Sequence, residues 1–214
     1  MNKILYFLIF ILFSSLGYSQ EKNPKQNEQH TIQDTTFVNL KDYSTDFVYD
    51  MRYATTSNFL KEKVYDCAEC YLRYKTVKKL IEANQKLIVL GFRIKLYDCY
   101  RPLAIQKKMW KIVPNPIYVA DPSKGSIHNR GGAVDITLVD KNGFELEMGT
   151  TFDYFGKEAS HNYTDLPEKV LQNRKLLKEI MESCSFKAFQ SEWWHYHLIS
   201  DELDPISNFK WNCN

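Results

Sequence analysis

No glycine-rich phosphate loop and no internal repeat occur in this chain, which sets aside nucleotide-cradling motifs and repeat architectures. Excess charge of one sign is also missing. The 28 Lys and Arg against 26 Asp and Glu leave +2, too little to argue for a nucleic-acid partner. The lysines are interspersed with acids, as in Lys61-Glu62-Lys63 and from Lys75 to Glu82, the pattern of a solvated helix face. Long apolar runs are absent apart from Ile4 to Phe13, which is short of the roughly 20 residues a membrane span needs. Cysteine is sparse, with five in all and a single CxxC, Cys67-Ala68-Glu69-Cys70. Without a second CxxC or thioredoxin-like flanks, a structural bridge is expected there rather than metal or redox chemistry. The odd count leaves at least one thiol unpaired unless the chain dimerises through it.

What is present begins with an export signature. Asn2-Lys3 precedes the apolar run, and Gly17-Tyr18-Ser19 offers the small residues that a signal peptidase reads, so cleavage is expected after Ser19. No cysteine lies near that cut, which argues against a lipoprotein anchor. Residues 1–19 are thus expected to be a signal peptide and the polar residues 20–35 a flexible leader. A single domain is expected over 36–214, and 44% hydrophobic residues with 14% aromatic suffice for one substantial core. The expected location is outside the cytoplasm, periplasmic in a bacterium, with no stable membrane anchor after cleavage. Disulfides are compatible with that compartment, although spacing does not pair them.

Periodicity predicts an α+β fold. Helical spacing runs over Tyr71 to Gln85, with Val77, Leu80, Ile81 and Asn84 near one face, and again over Glu168 to Cys184. Pro102 suits the first turn of a helix through Leu103, Ile105, Met109 and Trp110. Strands are predicted at Leu87 to Tyr97, Ala133 to Val139 and Trp194 to Ile199. In the second, Val134, Ile136 and Leu138 alternate with Asp135 and Thr137, as in a half-buried strand. An antiparallel central sheet carrying the site, with helices packed on one side, accommodates these elements.

Two clusters carry the chemistry. Ser126-Ile127-His128 runs to Asp135 across Gly131-Gly132, and Ser191-Glu192-Trp193-Trp194-His195 follows near the end. A catalytic zinc takes three protein ligands and keeps a position open, and His128, Asp135 and His195 complete such a set for one ion. Glu192 is left over as a base. The glycine pair permits a sharp turn that brings His128 back toward Asp135. Glu192 and His195, three apart, would fall on opposite faces of a regular strand, so they must straddle a turn or bulge. His197 shares a strand face with His195 and is the competing ligand; Trp193 and Trp194 read chiefly as packing residues.

Ser126-x-His128-x6-Asp135 followed by Glu192-x-x-His195 resembles the zinc D-alanyl-D-alanine peptidases that share a fold with the Hedgehog signalling domain. Asp50-Met51-Arg52-Tyr53-Ala54-Thr55 with Asn58-Phe59, Tyr97-Asp98-Cys99-Tyr100-Arg101-Pro102, and Met148-Gly149-Thr150 with Phe152-Asp153 resemble the D-Ala-D-Ala dipeptidase branch. The resemblance spans roughly residues 35 to 205. It implies zinc on His128, Asp135 and His195, with Glu192 as catalytic base and Arg101 stabilising the oxyanion. Ser126 and Asp153 would hold a small D-amino-acid dipeptide, the carboxylate facing its free ammonium. Cys99 departs from the small residue, often glycine, usual before Arg-Pro. Arg101 stands at a strand-to-helix junction, and a surface ion pair is the alternative for it. D-Ala-D-Ala hydrolysis in wall turnover or salvage is the expected activity. A D,D- or L,D-carboxypeptidase trimming peptidoglycan stems is the alternative, and a non-enzymatic zinc module is disfavoured because binding alone needs neither Glu192 nor Arg101.

Overall fold

The computed structural model describes residues 32–213. The expected signal segment, and residues 20–31 of the expected leader, lie outside the described residues. Immediately after them the chain is tied down: Asp34 pairs with Lys78, and the Thr35 carbonyl accepts from the Arg73 guanidinium.

Among the described residues, seven strands form two sheets. Strands β1 (Phe37–Asn39) and β3 (Tyr71–Arg73) make a small antiparallel pair. The main sheet joins β2 (Val48–Tyr49), β4 (Phe92–Asp98), β5 (Ala133–Asp140), β6 (Phe186–Ala188) and β7 (His195–Leu198) in the order β2-β4-β5-β7-β6. Its pairings are antiparallel, as expected, except at the edge, where β2 runs parallel to β4. Helix α1 (Tyr74–Val89) lies between those two in the chain and supplies the crossover that a parallel pair requires. Helices α1 and α3 (Glu168–Glu182) pack side by side against β4 and β6, and α2 (Leu103–Ile112) follows Pro102 as anticipated. Among the described residues no helix is long and apolar enough to cross a membrane.

The first helix starts three residues later than periodicity suggests because Tyr71–Arg73 is taken into β3. Arg73 is buried there, its amide donating to Gly131 O and its guanidinium to backbone carbonyls of residues 35, 130 and 205. At the other end α1 absorbs Leu87 to Val89, which the sequence assigns to a strand. The helix stops only where Gly91 adopts φ 86°, a left-handed turn that a side chain disfavours, and β4 begins at Phe92. Strand β5 is buried on both faces rather than half-buried. Val134, Ile136 and Leu138 join Leu80, Leu87, Leu177 and Met181 in the core, while Asp135 and Thr137 are enclosed as well.

Two disulfides staple the loops, Cys67–Cys213 and Cys70–Cys99, and Cys184 is buried and free. The CxxC pair therefore serves structure, but as two bridges to distant partners. Cys213 lies at the far end of a strap that follows β7. Along it Phe209 stacks on Phe37 and Trp211 on Tyr71, each with ring centroids 5.0 Å apart, and the Ser207 amide donates to Asn129 O.

Candidate active site

Sheet register assembles the centre. Asp98 at the end of β4 pairs with Asp135 on β5, and Asp135 pairs with His195 at the start of β7, so three polar residues lie side by side across three strands. A 3-10 turn, His128–Arg130, delivers the fourth. Gly131 closes that turn at φ 76°, and a Cβ there would fall 2.5 Å from Phe37 Cε1 and 2.8 Å from Arg73 Cγ. Glycine is thus required both by conformation and by space. Glu192 reaches the same region through the irregularity that its spacing demanded: successive turns close from Glu192 N to Phe189 O and from His195 N to Glu192 O.

His128, Asp135 and His195 converge. His195 Nδ1 lies 3.0 Å from Asp135 Oδ1 and 3.1 Å from His128 Nε2, and His128 Nε2 lies 3.4 Å from Asp135 Oδ1. Ligand atoms of a tetrahedral ion with bonds of about 2.0–2.1 Å are about 3.3 Å apart, so this triangle fits one face of such a shell. The tautomer fits too. His128 Nδ1 sits 2.7 Å from the Cys99 carbonyl, which can only accept; Nδ1 therefore carries the proton and Nε2 turns its lone pair to the centre. Burial alone would raise the Asp135 carboxyl, yet the two histidines hold it well below the ordinary carboxylate range. Asp135 in turn raises His128 despite the burial that opposes its charging. Each shift is the mark of a carboxylate and an imidazole held in contact. His197 lines the same cavity, but its ring lies 6.1 Å from that of His195 and it stands outside the converging trio.

Arg101 forms a buried ion pair, not a surface one. Its Nε and Nη2 donate to Asp98 Oδ2 at 3.2 and 2.7 Å, and Nη1 donates to Gln106 Oε1 at 3.0 Å. Three of the five guanidinium N–H groups are thereby used. Asp98 also accepts from Tyr65 Oη at 2.8 Å. Asp153 stands at φ 61°, uncommon for a residue with a side chain, and accepts from Tyr53 Oη at 2.9 Å and from the Phe59 amide at 3.4 Å. Burial pushes its carboxyl up to about 7, the Asp135 charge adding to the rise and the two hydrogen bonds opposing it. Burial likewise raises Glu192. Ser126 donates its hydroxyl to Asn129 Oδ1 at 3.2 Å, bracing the turn that presents His128.

All seven residues singled out in the sequence line one cavity of about 310 Å³, near the lower end of small-molecule sites. Trp194 lines it as well, whereas Trp193 points away and donates to Thr150 Oγ1. Tyr53 and the apolar group Ile117, Tyr118, Phe155 and Phe189 complete the wall. Tyr53, Asp98 and Tyr65 were not singled out. Tyr53 and Asp98 stand inside the quoted motifs, but nothing in their spacing reveals which polar neighbour each would hold. The Cys99 carbonyl, being backbone, leaves no trace in side-chain pattern.

An α+β sheet that converges two histidines and an aspartate beside a half-buried glutamate defines a protein with a metal-type hydrolytic centre. Comparison with known proteins gives the family. The M15 peptidase model described as D-Ala-D-Ala dipeptidase matches residues 33–211. The D-alanyl-D-alanine dipeptidase of Escherichia coli (strain K12) is 32% identical over 183 residues, covering 85% of this chain and 95% of that protein. The enzyme of the same name from Enterococcus faecium is 32% identical over 182 residues, covering 75% of this chain and 90% of its own length. This chain belongs to the M15 D-Ala-D-Ala dipeptidase family of metallopeptidases.

Proposed function

We propose that the chain is a zinc-dependent dipeptidase that hydrolyses D-Ala-D-Ala to two D-alanines. The observation that carries this reading is the convergence of His128, Asp135 and His195 on one point of a small cavity that also holds Glu192, in a chain of this family. Two imidazoles and a carboxylate suit zinc. Bound there, zinc supplies Lewis acidity and lowers the pKa of water toward about 7.

The remaining work falls to this chain's own groups. Glu192 takes the proton of the attacking water and returns it to the departing amine; burial, by raising its carboxyl, brings it closer to the pH at which it must both accept and donate. Arg101 is held rigid by Asp98 and Gln106, and its two remaining N–H groups are available to the oxyanion that forms on the scissile carbonyl. Asp153 receives the substrate ammonium, with Tyr53 fixing its orientation, and Ser126 lies on the wall suited to the other end of the dipeptide. A cavity of about 310 Å³ has room for a dipeptide.

We read residues 1–19 as a signal peptide and the location as extracytoplasmic. Two disulfides support an oxidising compartment. An exported enzyme meets dipeptide released from the wall, so turnover or salvage is the proposed role. The deciding experiment measures D-alanine released by zinc-loaded protein from D-Ala-D-Ala, L-Ala-L-Ala and a pentapeptide stem, with E192A as control. Turnover of D-Ala-D-Ala alone, lost in E192A, is expected. Turnover of the stem instead would make the chain a carboxypeptidase, and none at all despite bound zinc would overturn the enzymatic reading.

A further inference from the structure

We propose that the Cys70–Cys99 disulfide positions the metal site, acting through the Cys99 carbonyl on His128 and through the chain on Arg101. The inference rests on reading His128, Asp135 and His195 as ligands.

The β4 ladder ends at Asp98, after an irregularity between Leu96 and Asp98, and Cys99 is the next residue. Beyond that point no strand partner fixes the backbone. Yet two features of the site lie on it: the Cys99 carbonyl accepts from His128 Nδ1 at 2.7 Å, and Arg101, clamped by Asp98, follows two residues later. This exit is held by the bond to Cys70, directly before β3, by the Tyr100 amide donating to Tyr71 O at 3.0 Å and by the Arg101 amide donating to His128 O at 3.1 Å, and of these the disulfide is the one that acts at Cys99 itself. Both sulfur-bearing residues are 0% exposed, and Cys70 is anchored in turn by the Leu40 amide on its carbonyl. The disulfide therefore ties an unladdered carbonyl to a fixed strand. If that carbonyl drifts, His128 loses the acceptor that keeps its proton on Nδ1 and its lone pair toward the centre. Loss of such an outer partner typically weakens metal binding about ten- to hundredfold.

The second bridge provides an internal control. Cys67–Cys213 spans 146 residues and Cys70–Cys99 only 29, so on chain entropy the longer loop contributes more stability. None of the four bridged cysteines lines the site cavity, but Cys99 alone among them hydrogen-bonds a site residue, through its carbonyl on His128. Stability and metal binding should consequently respond in opposite order to the two deletions.

The test is the zinc dissociation constant, by competition with a chromophoric chelator, and the visible spectrum with cobalt(II), for the wild type, C70A/C99A and C67A/C213A. C70A/C99A should bind zinc about ten- to hundredfold more weakly with an altered cobalt spectrum, while C67A/C213A should match the wild type in both although its Tm falls further. Wild-type affinity and spectrum in folded C70A/C99A would overturn the proposal. Should that variant not fold, C67A/C213A offers the same test, because Cys70–Cys99 is then its sole bridge. After reduction with a phosphine and titration of the two new thiols, its zinc dissociation constant should rise about ten- to hundredfold, and an unchanged constant would overturn the proposal. A wild type that binds no zinc would sink the ligand reading beneath it, a result separate from the variant comparison.

Discussion

Glu192 and Asp153 are both carboxyls raised by burial, and their different surroundings set different expectations. Glu192 is a proton carrier in the proposed reaction. E192Q keeps the shape but removes the basic oxygen, so kcat should fall about 10²- to 10⁴-fold, with zinc content by atomic absorption unchanged. Asp153 is a binding group whose charge is opposed by its site. Below the ordinary value of 3.8 it is protonated whether the chain is folded or not. Between 3.8 and about 7 the unfolded chain ionises it while the folded protein keeps the proton, so the cost to folding grows; above about 7 that cost is complete. Asn in its place can still accept from the Phe59 amide through its Oδ1 while its Nδ2 donates to the Tyr53 hydroxyl. D153N should accordingly raise the Tm of metal-free protein at pH 8 more than at pH 4, as scanning calorimetry at the two pH values will read. The same change should raise KM for D-Ala-D-Ala, because the ammonium loses its counter-charge. Unaltered KM would remove Asp153 from the substrate site.

At the scale of elements, the site depends on register. A slip of one residue between β5 and β7 would turn Asp135 and His195 to opposite faces, so the apolar alternation that fixes the strands also fixes the metal triangle. The turn before β5 has the least latitude. In G131A the φ of 76° and the 2.5 Å approach to Phe37 must both be relieved, and the shift passes directly to His128. Destabilisation of about 1–3 kcal/mol in urea, together with weaker zinc binding, is expected. A G131A protein with unchanged stability would show that this turn is not constrained. Element positions were largely legible in the chain, since β5, β7, α2 and α3 fall close to where periodicity puts them. The limits of α1 and β4 were not, because Leu87 to Val89 suit helix and strand alike and only the Gly91 turn decides between them.

The whole molecule couples metal to fold, since the trio joins a turn to two central strands and assembles only in the folded chain. A ligand that binds only the native state at a hundred times its Kd adds about 2.7 kcal/mol. For a domain of this size that corresponds to a rise in Tm of roughly 5–11 °C. Zinc should raise the melting temperature of the wild type on that scale and leave D135A unmoved, in a differential scanning experiment with chelator as the reverse control. An equal rise in D135A would place the zinc elsewhere.

Residue chemistry along the chain pointed to His128, Asp135, His195 and Glu192, and the family resemblance added Arg101, Ser126 and Asp153, all of which line the cavity. Imidazole, carboxylate and guanidinium are scarce in apolar settings, and their spacing around Gly131-Gly132 and Trp193-Trp194 survives as a pattern in one dimension. What holds those side chains was decided in three dimensions. The Asp98 clamp on Arg101, the Tyr53 bond to Asp153, the carbonyl of Cys99 on His128, the pairing of the four bridged cysteines and the strap ending at Cys213 join residues from 3 to 146 positions apart. Such partners are selected by sheet register and loop packing, which depend on the whole core at once. Local pattern carries the identity of a reacting group; its orientation, charge state and rigidity come from neighbours that only folding brings within reach.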